Sequence, residues 1–215
     1  MIVVFAGHFG RSYLATESEP EPCGYTLVID AGHGGMDGGA VADDGTVEKD
    51  LNLKVADRMA TLCTVLGIEY KMTRTDDVML CDMSSSHRKL DDLYNRIKLT
   101  ESITQPVFLS IHMNKFPVAK YSGLQVYYST YDGRSQEIAD AIQAFTAEIL
   151  MPENGRKTKA AGSSIFVLDK ATYPAVLVEC GFLSNRDELS KLKTDEYQKA
   201  LALTVLAPVA EYILK

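Results

Sequence analysis

Tryptophan is absent from the 215 residues, which removes the indole platforms common in sugar- and base-stacking modules. Cysteine is scarce: Cys23, Cys63, Cys81 and Cys180 are the four present, and none belongs to a C-x-x-C pair. A disulfide scaffold is thereby excluded, and a zinc cluster of four thiolates does not fit the spacing. The thiols read as free, and only Cys23 and Cys81, in a linker and a long loop, have the freedom to meet. Positive charge is in deficit, with 22 Lys and Arg against 29 Asp and Glu, a formal charge of −7. Such a chain lacks the clustered cations that displace counterions from nucleic acid or hold an anionic bilayer, so no nucleic-acid partner is expected. The apolar start, residues 1–9, is shorter than the roughly 20 residues of a membrane span.

What is present is globular. A hydrophobic fraction of 46% is enough for a packed core, and the length suits one domain of roughly 100–200 residues. Residues 1–23 stand apart. The apolar start has no Lys or Arg before it, and Thr-Glu-Ser-Glu-Pro-Glu-Pro follows at 16–22. Two readings stand: the remnant of a signal or membrane anchor plus its linker, or a disordered tail. Residues 24–215 form the expected folded domain.

Along that domain, periods of two and of 3.6 alternate. Residues 25–30 read as a buried strand. Leu51, Val55, Met59, Leu62 and Leu66 recur at helical spacing, with Gly67 as the stop. Strands are expected at 68–73, 107–112, 124–129, 164–168 and 175–179. Helices are expected at 90–103, at 135–150 and after Asn185 and Thr194, with long loops at 76–86 and 151–162. Pro208 should kink or end the last helix. The alternation predicts a single-domain α/β fold, a mostly parallel central sheet of about six strands with helices on both faces.

In such sheets ligands bind at the carboxyl ends of the strands. Three ends here carry chemistry: Asp30-Ala31-Gly32-His33, Ser110-Ile111-His112-Met113-Asn114, and Val178-Glu179-Cys180-Gly181. Glu48 opens the first helix. Two imidazoles and a carboxylate are the ligand set of an open catalytic zinc site. Each part also has a plain structural reading. A strand-end histidine can be a hydrogen-bonded bystander, and Glu48 can simply complement the helix dipole. The glycines of 34–39 could cradle a phosphate, although they lack the Gly-Lys-Ser/Thr ending of a P-loop. Glu179, at the tip of a buried apolar strand, requires a partner or a task.

Four segments carry a resemblance: 29–35 (IDAGHGG), 48–53 (EKDLNL), 110–114 (SIHMN) and 178–185 (VECGFLSN). In this order they resemble the zinc-dependent N-acetylmuramoyl-L-alanine amidases of bacterial cell walls, from about residue 25 to the C-terminus. The resemblance implies one Zn2+ per chain held by His33, Glu48 and His112, with Glu179 as the catalytic glutamate. It implies peptidoglycan as partner and substrate, cut between the lactyl group of N-acetylmuramic acid and L-alanine. Asp30 is expected to orient a ligand histidine and Asn114 to hydrogen-bond substrate; a loop cap and a turn residue are their plain alternatives. Thr73, Arg74 and Arg96 match family patterns and are assigned structural roles. His8 and His87 match nothing and should lie at the surface, and Cys180 should be a packed thiol.

The segments 87–96 (HRKLDDLYNR) and 123–128 (GLQVYY) are similar to the germination-specific branch, which implies spore-cortex maturation, muramic δ-lactam formation with a polysaccharide deacetylase, and an extracytoplasmic location. Between His112 and Glu179 no spare helix is expected to plug the site. A vegetative wall-turnover amidase, a zinc carboxypeptidase or deacetylase, and a non-catalytic wall-binding domain are the competing readings. The last would require a missing ligand, and none is missing.

Overall fold

The computed structural model describes residues 24–214; the tail at 1–23, with His8 and Cys23, lies outside them. Six strands, β1 (Thr26–Ala31), β2 (Tyr70–Met72), β3 (Pro106–Asn114), β4 (Gln125–Tyr128), β5 (Lys159–Ala160) and β6 (Ala175–Phe182), form one sheet in the order β2-β1-β3-β6-β4-β5. Strands β2, β1, β3 and β6 run parallel, whereas β4 is antiparallel to β6 and pairs in parallel with β5. The α/β class, the strand count and the mostly parallel sheet agree with the sequence.

The helices are α1 (Glu48–Leu66), α2 (Arg88–Glu101), α3 (Gly133–Ile149), α4 (Phe166–Asp169), α5 (Arg186–Leu192) and α6 (Asp195–Ile213). Alternation along the strands sorts side chains onto two faces. Leu27, Ile29, Val107, Leu109, Ile111, Val176 and Val178 join Val55 and Met59 of α1, Ile138 of α3 and Val205 of α6 in one core. Val28, Phe108, Ala175 and Leu177 join Ile97 of α2 and Leu168 of α4 in a second. The second face changes character toward the strand ends: Asp30, Ser110, His112 and Glu179 follow Val28, Phe108 and Leu177 at the same parity. That change places polar chemistry at the carboxyl edge, under α2.

Two expectations are corrected. Residues 164–168 are not a strand; Phe166–Asp169 is the short helix α4, which sets Phe166 edge-on against Tyr94 of α2 at 5.0 Å. A short apolar run has no period long enough to separate the two states, and packing decides. The sixth strand is instead β5, inside the stretch read as a loop. Of the two outcomes expected at Pro208, the end is absent, since α6 runs through it to Ile213. Val205, Leu206 and Val209 around it are fully buried, and their burial outweighs the missing hydrogen bond. His87 is exposed, as expected.

Candidate active site

The chain leaves β1 through Ala31 and Gly32 into a turn where His33 adopts φ 62°. A non-glycine residue there stores about 1 kcal/mol or more of strain, so other contacts must hold it. Two buried arginines supply them. Arg96 Nη2 donates to the His33 carbonyl (2.8 Å) and Nη1 to that of Ala31 (2.9 Å). Arg74 donates to the carbonyls of Ala31 (2.9 Å), Gly32 (3.0 Å) and Lys49 (2.9 Å). Arg74 and Arg96 thus frame the turn, and Thr73 bonds the end of β1 through the Ile29 carbonyl and the Asp30 carboxylate.

The held turn aims the His33 ring at Glu48 in the first turn of α1. His33 Nε2 lies 3.3 Å from Glu48 Oε1, and His112 Nδ1 approaches the same oxygen at 2.9 Å. One ligand atom from each of the three residues lies within 4.8 Å of the others, so two nitrogens and a carboxylate oxygen converge on one point. Glu48 is itself tethered: Oε1 accepts from the Met113 N–H (3.1 Å) and Oε2 from the Ala40 N–H (2.8 Å). Burial pushes its carboxyl up, but the bonds to His112 and His33 prevail and hold it far below the usual carboxylate range. Burial alone would lower His33, yet Glu48 and Asp37 raise it.

Two glycines make room for the rings. A Cβ at Gly32 would stand 2.2 Å from His112 Nε2, and one at Gly39 would stand 2.5 Å from Glu48 Oε2 and 2.6 Å from His33 Cδ2. The donor set and this cradle fit a metal ion that prefers imidazole with one carboxylate, as zinc does.

Asp30 does not touch a ligand ring, which corrects the expectation. Its carboxylate accepts from Thr73 Oγ1 (2.8 Å), Arg96 Nη1 (2.5 Å) and Ser110 Oγ (2.5 Å). Burial raises its pKa, but Arg96, Ser110 and Thr73 bring it below the ordinary value. The second carboxylate on a ligand histidine, besides Glu48, is Asp37, whose Oδ2 sits 2.9 Å from His33 Nδ1. That contact fixes the ring and leaves Nε2 facing Glu48. The only sequence signal for Asp37 was its place four residues after His33 in a glycine-rich turn. Asn52 was also missed: one helical turn beyond Glu48, its Nδ2 donates to the Gly32 carbonyl at 3.1 Å.

Glu179 lies beside His112 across the β3–β6 pair and opposite Gln125 on β4. Its Oε2 is shut off from solvent and has no hydrogen-bond partner among the described residues. Burial raises its pKa to about 7, with Glu48 adding to the rise and the histidines opposing it. Asn114 ends β3, half-buried, with its carbonyl accepting from the Leu183 N–H at 2.7 Å.

The Amidase_3 family, described as N-acetylmuramoyl-L-alanine amidase, matches residues 27–211. The chain belongs to this family. The amidase is 33% identical over 192 residues to the germination-specific N-acetylmuramoyl-L-alanine amidase of Bacillus subtilis, a match covering 88% of this chain and 80% of that relative. It is 31% identical over 185 residues to the LytC amidase of the same organism, covering 85% of this chain and 34% of that longer protein. Among solved structures, the CwlD amidase of Clostridioides difficile, determined in complex with the GerS lipoprotein, superposes with a TM-score of 0.82 at 34% identity, covering 87% of this chain and 97% of that one. The amidase is therefore a peptidoglycan hydrolase, and its substrate class places its action outside the cytoplasm. No helix among the described residues is long and apolar enough to cross a membrane.

Proposed function

We propose that the enzyme cleaves the amide between the lactyl carbonyl of N-acetylmuramic acid and L-alanine, using one zinc held by His33, Glu48 and His112 and a proton carrier, Glu179. The observation that carries this reading is the unpartnered Glu179 Oε2 beside His112. A buried carboxylate is costly unless it is used. A zinc ion in this ligand set supplies Lewis acidity to the scissile carbonyl and acidity to a water molecule.

The chain's own groups do the rest. Asp37 holds the His33 ring, and the Met113 and Ala40 amides hold Glu48, so the ligands need little reorganisation. Glu179 Oε2 accepts a proton from the attacking water and later delivers it to the alanine nitrogen as the C–N bond breaks. Water is consumed; a lactyl carboxylate and a free stem peptide result. Asn114, at the end of β3, hydrogen-bonds the substrate near this carbonyl.

The biological setting we propose is the spore cortex, where muramic acid stripped of peptide passes to a polysaccharide deacetylase on the way to muramic δ-lactam. The likeness to the germination-specific relative supports it, as does an accessible site. The side chains of His33 and His112 each keep 18% of their surface open, and α4 packs on α2.

Mass analysis of muropeptides after digestion of purified peptidoglycan tests the bond cut. Release of intact stem peptides beginning with alanine is expected, and removal of acetyl groups or terminal D-alanine alone would refute the reading. Deleting the gene in its host should give spores without muramic δ-lactam. Normal cortex with unseparated growing cells would point to vegetative wall turnover instead.

A further inference from the structure

Beyond Glu179 the sheet continues through β4 and β5. Gln125 and Tyr127 carry its parity outward, and Lys159 pairs with Tyr127 at the edge. Arg156 stands at this outer rim, in the loop before β5. Its guanidinium carbon lies 4.6 Å from the Phe182 ring centroid and 5.9 Å from that of Tyr121. Nε donates to the Ser122 carbonyl at 2.6 Å, and Nη1 reaches Gln125 Oε1 at 3.4 Å.

Both anchors belong to the active-site edge. Gln125 is the register partner of Glu179, and Phe182 is the register partner of Asn114. Among the described residues Arg156 forms no ion pair with a carboxylate, whereas Arg58, Arg96 and Arg134 each do. A guanidinium set over the Phe182 ring and anchored through Nε, close enough to be felt by the backbone-tethered Glu188 but not ion-paired with it, keeps Nη donors for an incoming carboxylate. Lys159, whose Nζ is 6.0 Å from the Tyr127 ring centroid, adds positive charge on the same side.

The proposed substrate carries a matching group. The residue after L-alanine in the stem is a γ-linked D-glutamate, whose free α-carboxylate is the first anionic group beyond the scissile bond. We propose that Arg156 binds this carboxylate and makes the enzyme selective for stems in which it is not amidated. The proposal rests on the bond assignment above. It places the departing peptide over β4 and the glycan on the opposite side of Glu179.

The test uses purified zinc-loaded enzyme and two synthetic glycan oligosaccharides bearing the same stem peptide. One has a free α-carboxylate on D-glutamate and the other a carboxamide there. The wild type should favour the free acid in kcat/KM by about tenfold or more, the scale of one hydrogen bond to a charged group. Arg156→Gln should bring that ratio near one, mostly through KM, and Arg156→Lys should retain part of it. A merely structural Arg156 would slow both substrates equally and leave the ratio intact, which would overturn the proposal; so would a wild type that does not discriminate. Failure to cut the lactyl–alanine bond in either substrate would overturn the bond assignment, and the proposal with it. Zinc content and circular dichroism of each variant separate folding loss from selectivity, and the lysine variant keeps the comparison decisive if the glutamine variant does not fold.

Discussion

His112 and Glu179 are direct register partners on neighbouring parallel strands, yet the Glu179 Oε2 is left without a hydrogen bond. Parallel pairing places two functional groups side by side with no loop needed to bring them together. The buried, unpartnered oxygen suits a group that handles protons rather than one that ligates.

Glu179→Gln should therefore abolish turnover and keep both fold and metal. A general base contributes about 10²–10⁴-fold to rate, so kcat should fall within that range while zinc content stays near one per chain. A variant that loses its zinc would make Glu179 a ligand and reverse the assignment.

Asp37 should matter to metal affinity although it is not placed among the ligands. Its hydrogen bond to His33 Nδ1 fixes the ring. Asp37→Asn should weaken zinc binding by about 10–100-fold, the usual effect of losing a ligand's outer partner. Competition against a chromophoric chelator measures this without any turnover assay.

Gly32→Ala should separate the site from the fold. The new methyl would lie 2.2 Å from His112 Nε2, and Gly32 is not among the positive-φ residues, so the backbone itself accepts alanine. Zinc affinity should drop by at least about tenfold, comparable to loss of ligand orientation. The melting temperature of the metal-free protein should change far less than that of the zinc-loaded one.

The Asp30–Arg96 pair should dominate acid denaturation on the α2 side. Asp30 sits below its ordinary value of 3.8 in the folded protein. Its contribution to stability is thus present above that value and is lost as pH falls toward the lower folded value. Asp30→Asn should flatten this acid limb and lower stability at neutral pH by about 3 kcal/mol, the cost of breaking a buried pair. Urea titrations of the metal-free protein between neutral and acid pH measure both effects.

Thiol chemistry should single out Cys81 among the described cysteines. Cys63, Cys81 and Cys180 are free. Burial pushes the Cys63 thiol up to about 12 and also raises those of Cys180 and Cys81, but of the three only Cys81 is partly exposed. Alkylation of the native protein followed by peptide mapping should label Cys81 first. Denatured, unreduced protein should titrate four thiols, and a count of two would reveal a disulfide involving Cys23.

The strand ends were legible because each couples a buried apolar run to a single polar residue that burial alone cannot justify: Asp30, His112 and Glu179. Glu48 was legible through its place in the first turn of α1. The role expected of Asp30, on a ligand histidine, falls to Asp37, because carboxylates of one short segment carry no mark of direction. Only the left-handed turn at His33 decides which reaches the ring. The place of Gln125 and Arg156 beside Glu179 and Asn114 was invisible because the antiparallel return of β4 beside β6 is set by tertiary packing. The same holds for β5, whose two residues become a strand only through pairing with β4, and for α4.

The strand order has a consequence for how the enzyme comes to exist. β6 is the last strand among the described residues, but it lies between β3 and β4. His33, Glu48 and His112 can gather once β1, α1 and β3 have met, whereas Glu179 enters only when β6 inserts into the middle of the sheet. A growing or truncated chain could thus hold its ion and still be chemically silent. The proposed proton carrier thus sits on a strand that reaches the centre of the sheet from late in the chain, apart in sequence from the three residues proposed to hold the metal.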